Sequence, residues 1–139
     1  MPLPFVTFMF RIAFVVYTIT LLTATHWPGL AVKGPFSRTD LLVHLGAFGL
    51  WTLLLGMTGW VRSKTCVRRR ALIVGLIGMG FGAFDELTQP LFRRVFDWLD
   101  LGADMSGAVL ASLVLFLFWY WKNGNRCMID PESAPKSTS

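Results

Sequence analysis

Charge is scarce in this sequence. Asp, Glu, Lys and Arg make up 15% of its 139 residues, against about 25% in ordinary soluble domains. A compact soluble domain of this size needs more polar surface. Cysteine is nearly absent. Cys66 and Cys127 stand in no metal-spaced motif such as CxxC, which excludes a disulfide-dense scaffold and a thiolate metal centre. Glycine and proline, at 13 and 7 residues, are too few and too irregular for a collagen-like chain. No HExxH and no Ser-His-Asp signature at a nucleophile elbow is present. What is abundant is apolar mass. Residues of the apolar class reach 54%, with 12 Phe and six Trp; mean hydropathy is +0.56. Those values exclude disorder and leave the membrane as the class.

Four apolar stretches organise the chain: Phe5–Thr23, Leu41–Val61, Ala71–Leu87 and Ala103–Trp121. Each is close to the ~20 residues that cross a bilayer as helix. None alternates with a period of two, as barrel strands would. Lipid offers the backbone no partners, so the stretches must be helices. The fold class expected is all-α, a polytopic membrane bundle of four transmembrane helices. One four-helix transmembrane domain, residues 1–122, would be followed by a polar cytoplasmic tail, residues 123–139, expected to be disordered. A rival reading makes the first stretch a signal peptide cleaved near Thr23-Ala24-Thr25. Against it, Arg11 comes late and the small-residue pattern is poor.

The net charge of +5 does not point to nucleic acid. Five of the 13 basic residues crowd between Arg62 and Arg70, which is the placement of a topology signal. That loop and the tail (Lys122, Arg126, Lys136) outweigh Lys33 and Arg38 in the first loop and Arg93 and Arg94 in the third. The positive-inside rule therefore predicts both termini in the cytoplasm of a cytoplasmic-membrane protein. The first and third loops would lie outside. Free thiols are expected for Cys66 and Cys127 on the cytoplasmic side. Arg11 is expected to snorkel to headgroups there. Trp27, Trp60, Trp98, Trp119 and Trp121 read as an aromatic belt, and Trp51 as packed within the bundle.

Polar residues recur at helical steps and converge on one leaflet. Gly75, Gly78, Gly82, Glu86 and Gln89 share a face of the third span, with Gly78 and Gly82 forming GxxxG. Asp97, Asp100, Asp104, Gly107 and Ala111 repeat the construction in reverse on the fourth span. Asp40, His44, Ala47 and Trp51 share a face of the second. If the small faces pack together, the polar ends must meet. Acids then exceed bases: Asp40, Asp85, Glu86, Asp97, Asp100 and Asp104 face Lys33, Arg38, Arg93 and Arg94. Ionisable groups at such depth are functional-site candidates, although structural networks also place them there.

These residues carry a resemblance. The run Glu86-x-x-Gln89, Arg94-x-x-Asp97-x-x-Asp100-x-x-x-Asp104-x-x-Gly107, with Asp40-x-x-x-His44 before it, resembles the VanZ-like family of small bacterial membrane proteins. It departs at Leu41, where the family often has Lys, at Asp104, where it often has Asn, and at Arg93, where Gly commonly precedes the Arg. The resemblance implies an integral membrane protein of the bacterial cell envelope. It adds an association, of the family only, with glycopeptide (teicoplanin) resistance.

Each candidate residue has two readings. Glu86 with Gln89 either holds a cationic or hydroxyl-bearing ligand, or bonds Arg94 and the fourth span. Arg94 either binds a phosphate or carboxylate through its fork, or locks Asp97 or Glu86; the lock is favoured. Asp97, Asp100 and Asp104 form a weak hard-cation candidate, or else start a helix and bond across the interface. Asp40 caps the second span. His44 is an interface histidine or a base, and His26 is read as incidental. No cofactor and no metal are expected. The favoured function is binding, not catalysis. The ligand-binding candidates Asp40, His44, Glu86, Gln89, Arg94, Asp97, Asp100 and Asp104 would engage a polar headgroup, a lipid-linked cell-wall precursor or an amphiphilic antibiotic from outside. A small headgroup-transferring enzyme and a non-catalytic assembly partner are the alternatives. Lipids are expected partners, with oligomerisation open.

Overall fold

The computed structural model describes residues 4–27, 39–61 and 66–123. The loop charges Lys33, Arg38, Arg62 and Lys64, and the tail from 124 onward with Arg126, Cys127 and Lys136, lie outside the described residues. Four helices account for nearly everything else: α1 Pro4–His26, α2 Thr39–Met57, α3 Val67–Thr88 and α4 Trp98–Asn123. Each is long and apolar enough to cross a membrane. The protein is an all-α, multi-pass membrane bundle, as its composition predicts.

The boundaries depart from the hydropathy limits where polar residues belong to helix ends. α3 takes in Arg68, Arg69 and Arg70. α4 begins at Trp98 because Asp97 caps it, its Oδ1 accepting the Leu99 N–H at 2.7 Å. α2 stops at Met57, short of Val61, and is followed by Gly59 at φ 73°, a left-handed turn that glycine takes without strain. The last carbonyls of α2 are met by arginines: Arg11 Nε donates to Thr58 O at 3.1 Å, and Arg70 Nη2 to Gly56 O at 3.0 Å. Arg11 thus finds a protein carbonyl where headgroups were expected. α3 ends at Thr88 because Pro90 has no N–H and its ring clashes with the Glu86 carbonyl. A 3₁₀ turn, Gln89–Phe92, follows. It closes on Arg93 in the left-handed region, φ 61°.

α2 is the packing centre and touches each of the other three helices. Its backbone lies directly on α4 at Gly107, where an added Cβ would strike Leu45 O and the Gly49 N. Gly75, Gly78 and Gly82 of α3 abut Ser112, Thr52 with Ala108, and Asp104 respectively. The small faces therefore do pack together, and no room remains for side chains there. Phe48, Trp51, Leu55, Val74, Leu115 and Trp119 fill the rest of the core. Trp51 stacks on Phe81 at 4.1 Å and donates to Thr18 Oγ1. Trp119 does not belong to the belt. It is 4% exposed, with the Arg70 guanidinium 3.7 Å over its ring. Trp27, Trp60, Trp98 and Trp121 are exposed. α1 is held more lightly, by Tyr17 Oη donating to Ala47 O and by the Trp51 bond. Its Thr18, Thr20 and Thr23 return their hydroxyls to carbonyls four residues back, which hides them from lipid.

Cys66 is disulfide-bonded, against the expectation of a free thiol. The up-and-down topology brings the start of α3, beside Cys66, to the same end of the bundle as the end of α4.

Candidate functional site

The topology gives the bundle a basic end (Arg11, Arg68, Arg69, Arg70, Lys122) and an acidic end. At the acidic end the close of α1 and α3 meets the start of α2 and α4. The three polar stripes read from the sequence converge there, and the structure adds a fourth contribution from α1.

Three buried carboxylates form its floor. Asp85, Glu86 and Asp104 are each 0% exposed. Glu86 accepts two bonds: Gln89 Nε2 donates to Oε1 at 2.8 Å, and the Asp97 backbone N–H to Oε2 at 3.3 Å. The second places a negative charge on the N-terminus of α4, where the helix dipole favours it. Gln89 Nε2 also donates to Asp85 Oδ2 at 3.2 Å. The Thr25 hydroxyl donates to Asp85 Oδ1 at 2.7 Å. His26 closes this ring: Nδ1 lies 3.6 Å from Asp85 Oδ1, and Nε2 is 2.9 Å from Thr88 Oγ1. His26 is therefore not incidental. It ends α1 and ties it to α3.

Asp104 is bound on one side only. His44 Nδ1 lies 2.9 Å from Oδ1, while Oδ2, although buried, has no hydrogen-bond partner. His44 Nε2 is 3.8 Å from Asp100 Oδ2, and Asp100 Oδ1 is also buried without a partner. The Phe48 ring lies parallel to the His44 ring, with centroids 6.2 Å apart.

A cavity of about 270 Å³ opens above this floor, lined by Asp40, His44, Arg94, Asp100, Thr25 and Phe48 among others. Four sequence candidates thus line it: Asp40, His44, Arg94 and Asp100. Glu86, Gln89 and Asp104 are buried outside its lining, joined to it through His44. Asp97 is not brought in. It is exposed and occupied as the α4 cap. The favoured lock for Arg94 is not formed either. Among the described residues the only charge pairs within 4.0 Å involve His26 and His44, and Glu86 takes backbone and amide donors in its place. The Arg94 side chain lines the cavity instead. Its place follows from the tight turn after Pro90, where Arg94 N–H bonds Gln89 O at 3.3 Å.

The grouping of metal-capable residues also differs from the Asp97, Asp100 and Asp104 run. His44, Glu86 and Asp104, one from each of α2, α3 and α4, bring one ligand atom apiece within 4.8 Å of one another. Sequence reasoning missed Thr25, His26 and Thr88. The available signal was Asp85 with Thr88 at a spacing of three, opposite a helix ending in Thr-His.

No family model matches the chain, and no curated protein or solved structure does so either.

Proposed function

We propose that the protein is a VanZ-like membrane protein of the bacterial cell envelope that binds the polar headgroup of an amphiphile at its acidic end. The observation that carries this reading is Arg94, a cation with no ion-pair partner among the described residues, lining one cavity with Asp40, His44 and Asp100. An uncommitted guanidinium suits a phosphate or carboxylate. Carboxylates beside it suit an ammonium or hydroxyl on the same ligand. The volume, about 270 Å³, falls at the lower bound of small-molecule sites. It fits a headgroup with the acyl or polyprenyl part left in lipid. The lipid-linked cell-wall precursors and lipoglycopeptides suggested by the family association share that design.

The sidedness follows the charge reading: the basic end cytoplasmic, the cavity outside. The test of function is binding of defined lipids to purified protein in nanodiscs, followed by native mass spectrometry. Phosphatidylglycerol, phosphatidylethanolamine, a polyprenyl pyrophosphate and teicoplanin form the panel. Saturable binding of one class, lost in Arg94→Gln, is expected. Equal binding by wild type and Arg94→Gln across the panel would sink the proposal.

One observation favours catalysis as a second reading. His44 stands between Asp104 at 2.9 Å and Asp100 at 3.8 Å, facing the cavity, which is how a general base is held. Turnover of a lipid-linked substrate, abolished in His44→Gln, would establish it. The assembly-partner reading loses its surface, since Gly75, Gly78 and Gly82 are used within the chain.

A further inference from the structure

We infer that His44, Glu86 and Asp104 form a binding site for a first-row divalent cation of the Mn²⁺ or Zn²⁺ kind. This goes beyond the headgroup reading and does not depend on it. Three helices each contribute one side chain, and the candidate ligand atoms lie within 4.8 Å of one another. Donors around a tetrahedral ion at ~2.1 Å lie ~3.4 Å apart, so side-chain shifts of about 1 Å bring all three into coordination. Their backbones are fixed by close packing. Gly82 receives the Asp104 Cβ, and Gly107 lies on the α2 backbone one turn beyond His44.

A second, independent observation points to a cation. Asp104 is fully buried, and its Oδ2 finds no hydrogen-bond donor. A buried polar oxygen is normally satisfied, and a buried carboxylate is costly without a counter-charge. No Lys or Arg supplies that charge among the described residues; every ion pair there uses histidine. Asp85, equally buried, has its needs met by Thr25 and Gln89. The deficit therefore spares Asp85 and falls on Asp104, a member of the candidate group, and on Asp100 beside His44.

The donor set defines the class of ion. One imidazole and two carboxylates suit Mn²⁺, Fe²⁺ or Zn²⁺, whereas Mg²⁺ and Ca²⁺ prefer oxygen alone. With Nδ1 on the ion, the His44 Nε2–H would face Asp100 Oδ2, now 3.8 Å away. That is the orienting contact metal-bound histidines habitually make. Three protein ligands leave coordination positions open toward the cavity that His44 lines.

The experiment uses the full chain purified in detergent, stripped with EDTA and reloaded with Mn²⁺. Electron paramagnetic resonance titration should give one bound ion per chain, and pulsed spectra should show a ¹⁴N coupling from imidazole. Asp104→Asn and His44→Gln should weaken binding by at least about 10–100-fold, with the ¹⁴N coupling gone in His44→Gln. Zn²⁺ should displace Mn²⁺, and millimolar Mg²⁺ should not. Asp97→Asn should bind the ion as wild type. Absence of stoichiometric Mn²⁺ or Zn²⁺ binding overturns the site. So does a bound ion without ¹⁴N coupling, or undiminished binding by Asp104→Asn. The wild-type coupling needs no variant, so a misfolded mutant does not blunt the test. Stoichiometric ion binding by wild type that binds no headgroup, or headgroup binding by wild type that binds no ion, separates the two proposals.

Discussion

Glu86 and Arg94 sit eight residues apart, and their side chains face opposite fates. Both Glu86 oxygens accept a bond, from Gln89 and from the α4 N-terminus. Replacing it by Gln puts an NH₂ against one of two donors. The expected cost is about 1–3 kcal/mol, read as a lower Tm in detergent. Arg94→Gln removes no ion pair within the described residues and should leave the Tm unchanged while abolishing ligand binding. A stabilising Glu86→Gln would mean the carboxylate is held against the fold's interest. Arg93 offers a third test. Its φ of 61° disfavours any side chain by roughly 1 kcal/mol relative to glycine. Arg93→Gly should therefore hold or raise the Tm, and Arg93→Val should lower it.

At the scale of elements, the helices and their packing faces were legible in the sequence, because lipid permits few alternatives to an apolar helix and small residues mark the contacts. Spacing placed Glu86, Gln89, His44 and Asp104 together correctly. It could not give direction. Asp97 shares a helical stripe with Asp100 and Asp104, yet it caps the helix instead of lining it, since a stripe does not reveal where the first turn begins. Arg94 has acids at favourable spacing on both sides, yet the turn after Pro90 aims it into the cavity. Thr25 and His26 were not placed at the site because hydropathy ended α1 before them, which left His26 read as incidental. The element interfaces also make a prediction. Gly107→Ala drives a Cβ into the α2 backbone at Leu45 and Gly49 and should cost at least about 1–3 kcal/mol by overpacking. Gly80→Ala, with nothing within 4 Å of the added Cβ, should be neutral or gain up to about 1 kcal/mol from helix propensity. Thermal unfolding of the pair compares an obligatory glycine with a dispensable one.

For the whole molecule, the segregation of charge predicts its seat in the membrane. Arg11, Arg68, Arg69 and Arg70 gather at one end and the carboxylates at the other, and the positive-inside rule predicts the first in the cytoplasm. The disulfide at Cys66 makes the orientation measurable. A basic end outside would keep that bond, and a basic end in the reducing cytoplasm would have it opened to thiols in the cell. A membrane-impermeant maleimide should then label the protein only after permeabilisation, without added reductant. Labelling of intact spheroplasts only after reduction would place the basic end outside.

His44 and Asp104 are 60 residues apart in the chain, and this separation has a consequence in time. Ribosomes add ~5–20 residues per second. The second helix therefore waits roughly 3–12 s in the bilayer before its carboxylate partner is even synthesised. During that interval an imidazole and the glycine face of α2 stand open to lipid, to insertion machinery and to membrane proteases. A chain interrupted before Asp104 would not be a shortened version of this protein. It would be an unpaired polar helix awaiting destruction, and the fourth helix is what ends the wait.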